Sequence, residues 1–216
     1  MWLSTLAMAS PMWDRMEEES GWSPLAMVSS EDTGELRVSQ RMIAGTRCLR
    51  GQMRVDADPD LLYAVVSDIA TEPSWSSETL SESEILGSRS GGIDYYQHLS
   101  VPRWTMAADR YWVLHGTDTS GPSVREFRWE SFDWESRYPA LRERIDRDHA
   151  GAVEPTENYG YWRFEHRPTG VIATYAICTS AGGAIPDWVQ RKAASRALPG
   201  TMIDVVREAG RRAYLL

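Results

Sequence analysis

The sequence predicts an α+β fold in which an antiparallel sheet bends around a long C-terminal helix, and three observations predict it. Near the C-terminus two strand-like runs, Tyr159–His166 and Val171–Thr179, flank the turn-forming Arg167-Pro168-Thr169-Gly170, so they read as an antiparallel hairpin. After the Gly182-Gly183 break, Pro186 opens a segment with helical spacing. Its apolar stripe is Trp188, Val189, Ala193, Met202, Val205, Val206 and Ala209, with Arg191, Lys192, Arg196, Asp204, Arg207 and Arg211 mostly off it. Between residues 36 and 134 short strand-like runs alternate with turn signals, which is the pattern of a meander. An amphipathic helix must cover something apolar. Lying across an aromatic sheet, it closes over either a solid core or a cavity.

In chain order, residues 1–35 suggest a helical extension packed on the domain, with Trp2, Leu3, Leu6, Met8, Trp13 and Met16 preceding Glu17-Glu18-Glu19 and a turn at Ser20-Gly21. Leu36–Ile43 and Thr46–Val55 read as strands, the second alternating Leu49, Met53 and Val55 against Arg50, Gln52 and Arg54. Asp58 then caps a helix that opens with Pro59 and Asp60 and buries Leu61, Leu62, Val65, Val66 and Ile69. Strands are expected at Glu84–Gly87, Ile93–Val101, Tyr111–Asp118 and Val124–Trp134, with turns at Gly91-Gly92, Pro102 and Gly121-Pro122. From Glu135 to Asn158 the alternation stops, and the charged run following Tyr138-Pro139 reads as one or two exposed helical turns. No linker or repeat interrupts residues 36–216, so they read as a single domain.

Composition narrows the function. Ten Trp and nine Tyr stand beside three Phe in 216 residues. Such rings bring large apolar area with a polar edge, suiting a pocket wall as well as a core. A net charge of −8 argues against nucleic acid, which is bound by clustered cations. The segment 186–216 is nevertheless locally basic: Arg191, Lys192, Arg196, Arg207, Arg211 and Arg212 outnumber Asp187, Asp204 and Glu208. That helix could touch an anionic membrane surface transiently, although cations at a helix C-terminus also answer its dipole. Cys48 and Cys178 have no metal-ligand spacing and read as two buried thiols. No run approaches the ~20 apolar residues of a membrane span, and the start lacks a basic region before its short apolar stretch, so a cytoplasmic protein is expected. There is no GxSxG, P-loop, strand-linked GxGxxG or HExxH. No metal and no cofactor is expected.

Several pieces of the chain taken together resemble a known family. Val55-Asp56-Ala57-Asp58-Pro59-Asp60-Leu61-Leu62-Tyr63, Asp68 and Trp75 form a strand-to-helix junction with a following tryptophan. Val101-Pro102-Arg103-Trp104 precedes Asp109-Arg110-Tyr111-Trp112-Val113. Gly160-Tyr161-Trp162, Thr174-Tyr175 and Gly182-Gly183-Ala184-Ile185-Pro186-Asp187-Trp188 close the set. Their order and spacing resemble the START lipid-transfer family, within the helix-grip group that also holds Bet v 1-like and polyketide-cyclase-like proteins. The resemblance implies a helix-grip fold: a curved antiparallel sheet wrapped around the long C-terminal helix, enclosing an apolar cavity for one hydrophobic small molecule, a lipid, sterol or polyketide. One departure is the order Asp109-Arg110, where the family reads Arg before Asp.

In sterol-binding members an acidic and a basic residue on neighbouring strands face each other inside the cavity. Carried over by spacing, those positions fall on His98 and His115, which as a pair would anchor a ligand hydroxyl or carbonyl in a pH-sensitive way. The expected ligand wall adds Tyr96, Tyr111, Trp129, Trp162 and Tyr175 on strands and Trp188 at the helix entrance. Alternation alone does not say which of them face inward, because several strands carry aromatics on both faces. Two functions follow: a non-enzymatic carrier or sensor of a hydrophobic ligand, and a cyclase/aromatase-type enzyme using His98, His115 or a tyrosine as general acid or base. The lack of a catalytic signature favours the carrier. A filled core would leave a purely structural interaction domain.

Overall fold

A computed structural model of the chain describes residues 11–30, 33–77, 80–101, 107–180 and 187–215, and the side chains of all of these except 11 and 187–195. Nine strands form one antiparallel sheet: β1 (Ser23–Ser30), β2 (Gly34–Ile43), β3 (Thr46–Val55), β4 (Leu80–Arg89), β5 (Gly92–Leu99), β6 (Arg110–Asp118), β7 (Val124–Ser131), β8 (Asn158–Arg167) and β9 (Gly170–Thr179). The order across the sheet is β1-β2-β3-β9-β8-β7-β6-β5-β4, so the closing hairpin returns to lie beside β3 and the two edges stay open. This is a curved sheet of the helix-grip type, with its C-terminal helix packed against one face.

Among the described residues four helices accompany it: α1 (Pro11–Glu17), α2 (Pro59–Ser67), α3 (Pro139–Asp148) and α4 (Asp187–Tyr214), with a 3-10 helix at Ile69–Ser74. Asp58 caps α2 through its side chain, 2.8 Å from the Asp60 N–H. Leu62, Val65 and Val66 from α2 and Leu198, Met202, Val205 and Ala209 from α4 are buried in one cluster with Met53, Val55, Trp129, Trp162 and Phe164 of the sheet. We call this the inner face. α4 comes close to β3 because Gly51 stands beneath it: a Cβ there would collide with Leu198 and Met202.

The opposite, outer face is also covered. α3 buries Leu141 and Ile145 on Tyr96, Tyr111 and Val113, with Trp134 beside them. α1 sets Met16 over Ile43, Cys48, Tyr161 and Cys178. Its Glu17 bridges Arg128 and Arg163, which also flank the buried Glu126. The central strands are therefore buried on both sides.

Three sequence expectations are corrected here. Residues 23–30, expected within a helical extension over 1–35, form the edge strand β1; Pro24, Ser29 and Ser30 hide it, because an edge strand open to solvent tolerates proline and polar residues. The charged insertion holds a ten-residue helix rather than an exposed turn or two, with two side chains buried on the sheet. Cys48 and Cys178, expected as thiols, are register partners on β3 and β9 and are joined in a disulfide. Among the described residues no helix is long and apolar enough to cross a membrane, and no group of three or more His, Cys, Asp or Glu side chains gathers to hold a metal.

Candidate ligand cavity

The hairpin register fixes which side chains face inward. Counting back from the turn, Trp162 lies opposite Tyr175, and Phe127 of β7 lies opposite Trp162. Across β6 and β5 the same face carries Trp112 opposite Gln97 and Leu114 opposite Tyr95. These residues, with Trp129, Asn158, Ile177, Leu80 and Leu99 from the sheet, Val66 from α2, Ile69 and Glu72 from the 3-10 helix and Thr201 from α4, line a half-open cavity of about 160 Å³. Its aromatic wall is continuous. The Trp162 and Tyr175 rings stack with centroids 4.2 Å apart, and Trp129 lies 5.9 Å from Tyr175. The Trp129 ring can lie across β8 because residue 160 is glycine, where a Cβ would strike it. Its indole N–H donates to Asn158 Oδ1 at 2.9 Å.

Two polar groups of the cavity wall, Glu72 and Gln97, meet. Gln97 Nε2 donates to Glu72 Oε2 at 2.6 Å and lies 3.4 Å from Ser83 Oγ. Ser83 is itself held by the Ile69 carbonyl at 2.7 Å. Burial pushes the Glu72 carboxyl up to about 7, against the lowering effect of the Gln97 hydrogen bond. Burial, reinforced by the nearby Glu72 charge, raises the Tyr95 hydroxyl well above its ordinary value, so it stays protonated. Trp112 Nε1 is buried and has no hydrogen-bond partner among the described residues.

Of the residues expected from sequence, Trp129, Trp162 and Tyr175 line this cavity. The Trp188 side chain lies outside the described residues. Tyr96, His98, Tyr111 and His115 do not reach the cavity: each is one residue out of step with the inner face and lies on the outer face, Tyr96 and Tyr111 directly beneath α3. Nor do the two imidazoles meet, since His98 pairs with Tyr111 and His115 with Asp94.

Each histidine has local partners instead. The His98 ring stacks on His149 at 3.8 Å, with Nδ1 2.6 Å from Ser81 Oγ and Nε2 3.8 Å from Asp109 Oδ2. Burial first, and His149 second, lower its pKa. His115 Nδ1 lies 2.7 Å from Oδ1 of the fully buried Asp94, which also accepts from Arg89 and from the Tyr138 hydroxyl. The two histidines thus help bind the residues around α3 to the sheet.

Sequence reasoning missed Glu72, Gln97, Tyr95 and Trp112. The hairpin turn at 167–170 would have set the parity of β8 and β9 by counting. For β5 and β6, buried on both sides, composition holds no equivalent signal.

No family model matches the sequence, and no curated protein matches it. Solved structures do. A STAR-related lipid transfer protein from Xanthomonas axonopodis (fragment 25–204) superposes with a TM-score of 0.67 at 24% identity, covering 88% of this chain and 98% of that one. Human STARD10 gives 0.74 at 16% identity, covering 94% and 79%. Human StAR-related lipid transfer protein 5 gives 0.72 at 13% identity, covering 94% and 92%. The fold is that of the START lipid-transfer domains.

Proposed function

We propose that the protein binds a hydrophobic small molecule in the cavity between the inner face of the sheet and helices α2 and α4, and carries it without transforming it. The observation that supports this best is the aromatic-walled cavity with the hydrogen-bonded Glu72–Gln97 pair in its lining, the arrangement expected of a site that buries an apolar body and fixes one polar group. The names of the three structural neighbours point the same way. The cavity of about 160 Å³ holds a group the size of a benzene ring, whereas sites enclosing a whole ligand run to roughly 300–1,000 Å³. Loading a lipid therefore requires the wall to yield. The cover is α4, whose interior Pro199 has no N–H to donate, so one carbonyl a turn earlier lacks its partner in the helix ladder.

The carrier is preferred to a cyclase because His98 and His115, two of the acid–base candidates for that chemistry, lie on the other face of the sheet, and burial holds the proton on the cavity's Tyr95. We further propose transient contact of α4 with an anionic membrane surface during loading; Arg196, Arg207 and Arg211 are exposed along it, although Arg211 and Arg212 also pair with Glu208.

The test is transfer of a fluorescent lipid from quenched donor vesicles to unlabelled acceptors, with the lipid recovered afterwards for chromatography. Transfer proportional to protein, with the lipid unchanged, is expected. Chemical conversion of the recovered molecule, or neither uptake nor transfer across sterol, fatty-acid and phospholipid probes, would overturn the proposal.

A further inference from the structure

The polar end of the cavity has a definite donor and acceptor pattern. Gln97 on β5 and Trp112 on β6 are direct register partners on the inner face, so their side chains emerge side by side. Glu72 reaches the same place from the 3-10 helix and is tied to Gln97 through Oε2. No described residue hydrogen-bonds Oε1 of Glu72, which therefore keeps its acceptor capacity. The Trp112 indole is a donor only, and its buried Nε1–H has no partner. A buried donor left unmade costs free energy, and an occupant bearing an acceptor would recover it.

Charge matters as much as geometry. The described residues lining the cavity include one acid, Glu72, and no Lys or Arg. An anionic head drawn in beside them would be desolvated without a cation partner and, whenever Glu72 is ionised, would face a like charge. A hydroxyl or primary amide meets neither penalty. Each offers an acceptor to the Trp112 N–H and a donor to Glu72 Oε1.

We propose that Glu72, Gln97 and Trp112 form a head-group site that selects an uncharged amphiphile, a long-chain or polycyclic lipid ending in a hydroxyl or amide, over a lipid with an anionic head. This rests on the reading of the cavity as the ligand site. With the Glu72 carboxyl pushed up to about 7, it is about half ionised at pH 7, so discrimination against anions sharpens as pH rises above it.

Three tritiated ligands with one chain and different heads provide the test: oleyl alcohol, oleamide and oleate, each offered from phosphatidylcholine vesicles at pH 6 and pH 8. At pH 8 the alcohol and the amide are expected to bind at least about tenfold more tightly than oleate, the worth of one buried hydrogen bond or one avoided charge. Oleate should close part of that gap at pH 6. Glu72→Gln should raise oleate binding at pH 8 and flatten its pH dependence. Trp112→Phe should weaken the alcohol and the amide by about fivefold to tenfold, and oleate, whose carboxylate also accepts from the indole N–H, by at least as much. Both variants are conservative, and circular dichroism checks that they fold. Equal binding of the three heads by the wild type, or a preference that neither variant alters, would overturn the head-group site and leave the carrier intact. Failure of all three to bind would overturn both.

Discussion

Glu72 carries the most direct energetic consequence of the cavity. Its carboxyl is expected near 7 in the folded chain against an ordinary 4.5. A folded-state value above the unfolded one means that the folded protein holds the proton more tightly. Stability is then full below about pH 4.5 and falls as pH rises through 7. One pKa unit corresponds to about 1.4 kcal/mol, so the whole effect is about 3 kcal/mol. Glu72→Gln keeps the shape and the hydrogen bond to Gln97 but cannot ionise. Urea midpoints measured for both proteins from pH 4.5 to 8.5 should diverge as pH rises, with the variant the more stable by about 3 kcal/mol at the alkaline end. Every other titrating group is common to the two proteins and cancels in the difference. Parallel curves would refute the reasoning, because they would mean that Glu72 ionises as freely in the folded protein as in the unfolded one.

Other outcomes follow from packing and charge. Gly51→Val should cost about 1–3 kcal/mol and lower the urea midpoint, since its side chain must displace Leu198 and Met202 of α4. Reducing the Cys48–Cys178 disulfide, which closes a 130-residue separation, should lower stability by about 2–4 kcal/mol, measured by denaturation with and without reductant. His98 is held below its ordinary 6.5 by burial, so its contribution is full above pH 6.5 and is lost as pH falls from there through its lower folded-state pKa. Hydrogen exchange should show α3 loosening between pH 7.5 and 5.5, and His98→Gln should remove most of that pH dependence.

Much of the fold was legible because its signals are local. Asp58-Pro59 starts α2 where capping chemistry says it should, the turn at 167–170 sets the closing hairpin, and the bounds of β3 follow from alternation alone. β1 was hidden for a physical reason: an edge strand tolerates Pro24 and a serine end, and its apolar residues Leu25, Ala26, Met27 and Val28 run together instead of alternating. The cavity was half legible. Trp129 and Tyr175 lie on strands whose other face carries Glu126, Arg128 and Thr174, so aromatic content follows the inner face there, whereas β8 turns Trp162 inward and Tyr161 outward. On β5 and β6 the outer face is sealed by α3, and Tyr95 and Tyr96 are equally buried. A one-residue error of parity then moves every side chain to the opposite face, which is what separates His98 and His115 from Gln97 and Trp112. Glu72 left no periodic trace because it stands on a short 3-10 helix between two regular elements.

The central claim is that this chain encloses a hydrophobic molecule, and the most direct measurement is native mass spectrometry of protein purified without detergent, followed by organic extraction of the same sample. One small apolar molecule per chain, released intact on denaturation and bearing an uncharged polar head, is the expected result. A protein that carries nothing, and whose mass is unchanged after incubation with sterol, fatty-alcohol and phospholipid vesicles, would contradict the account and leave the cavity as a packing defect between sheet and helix.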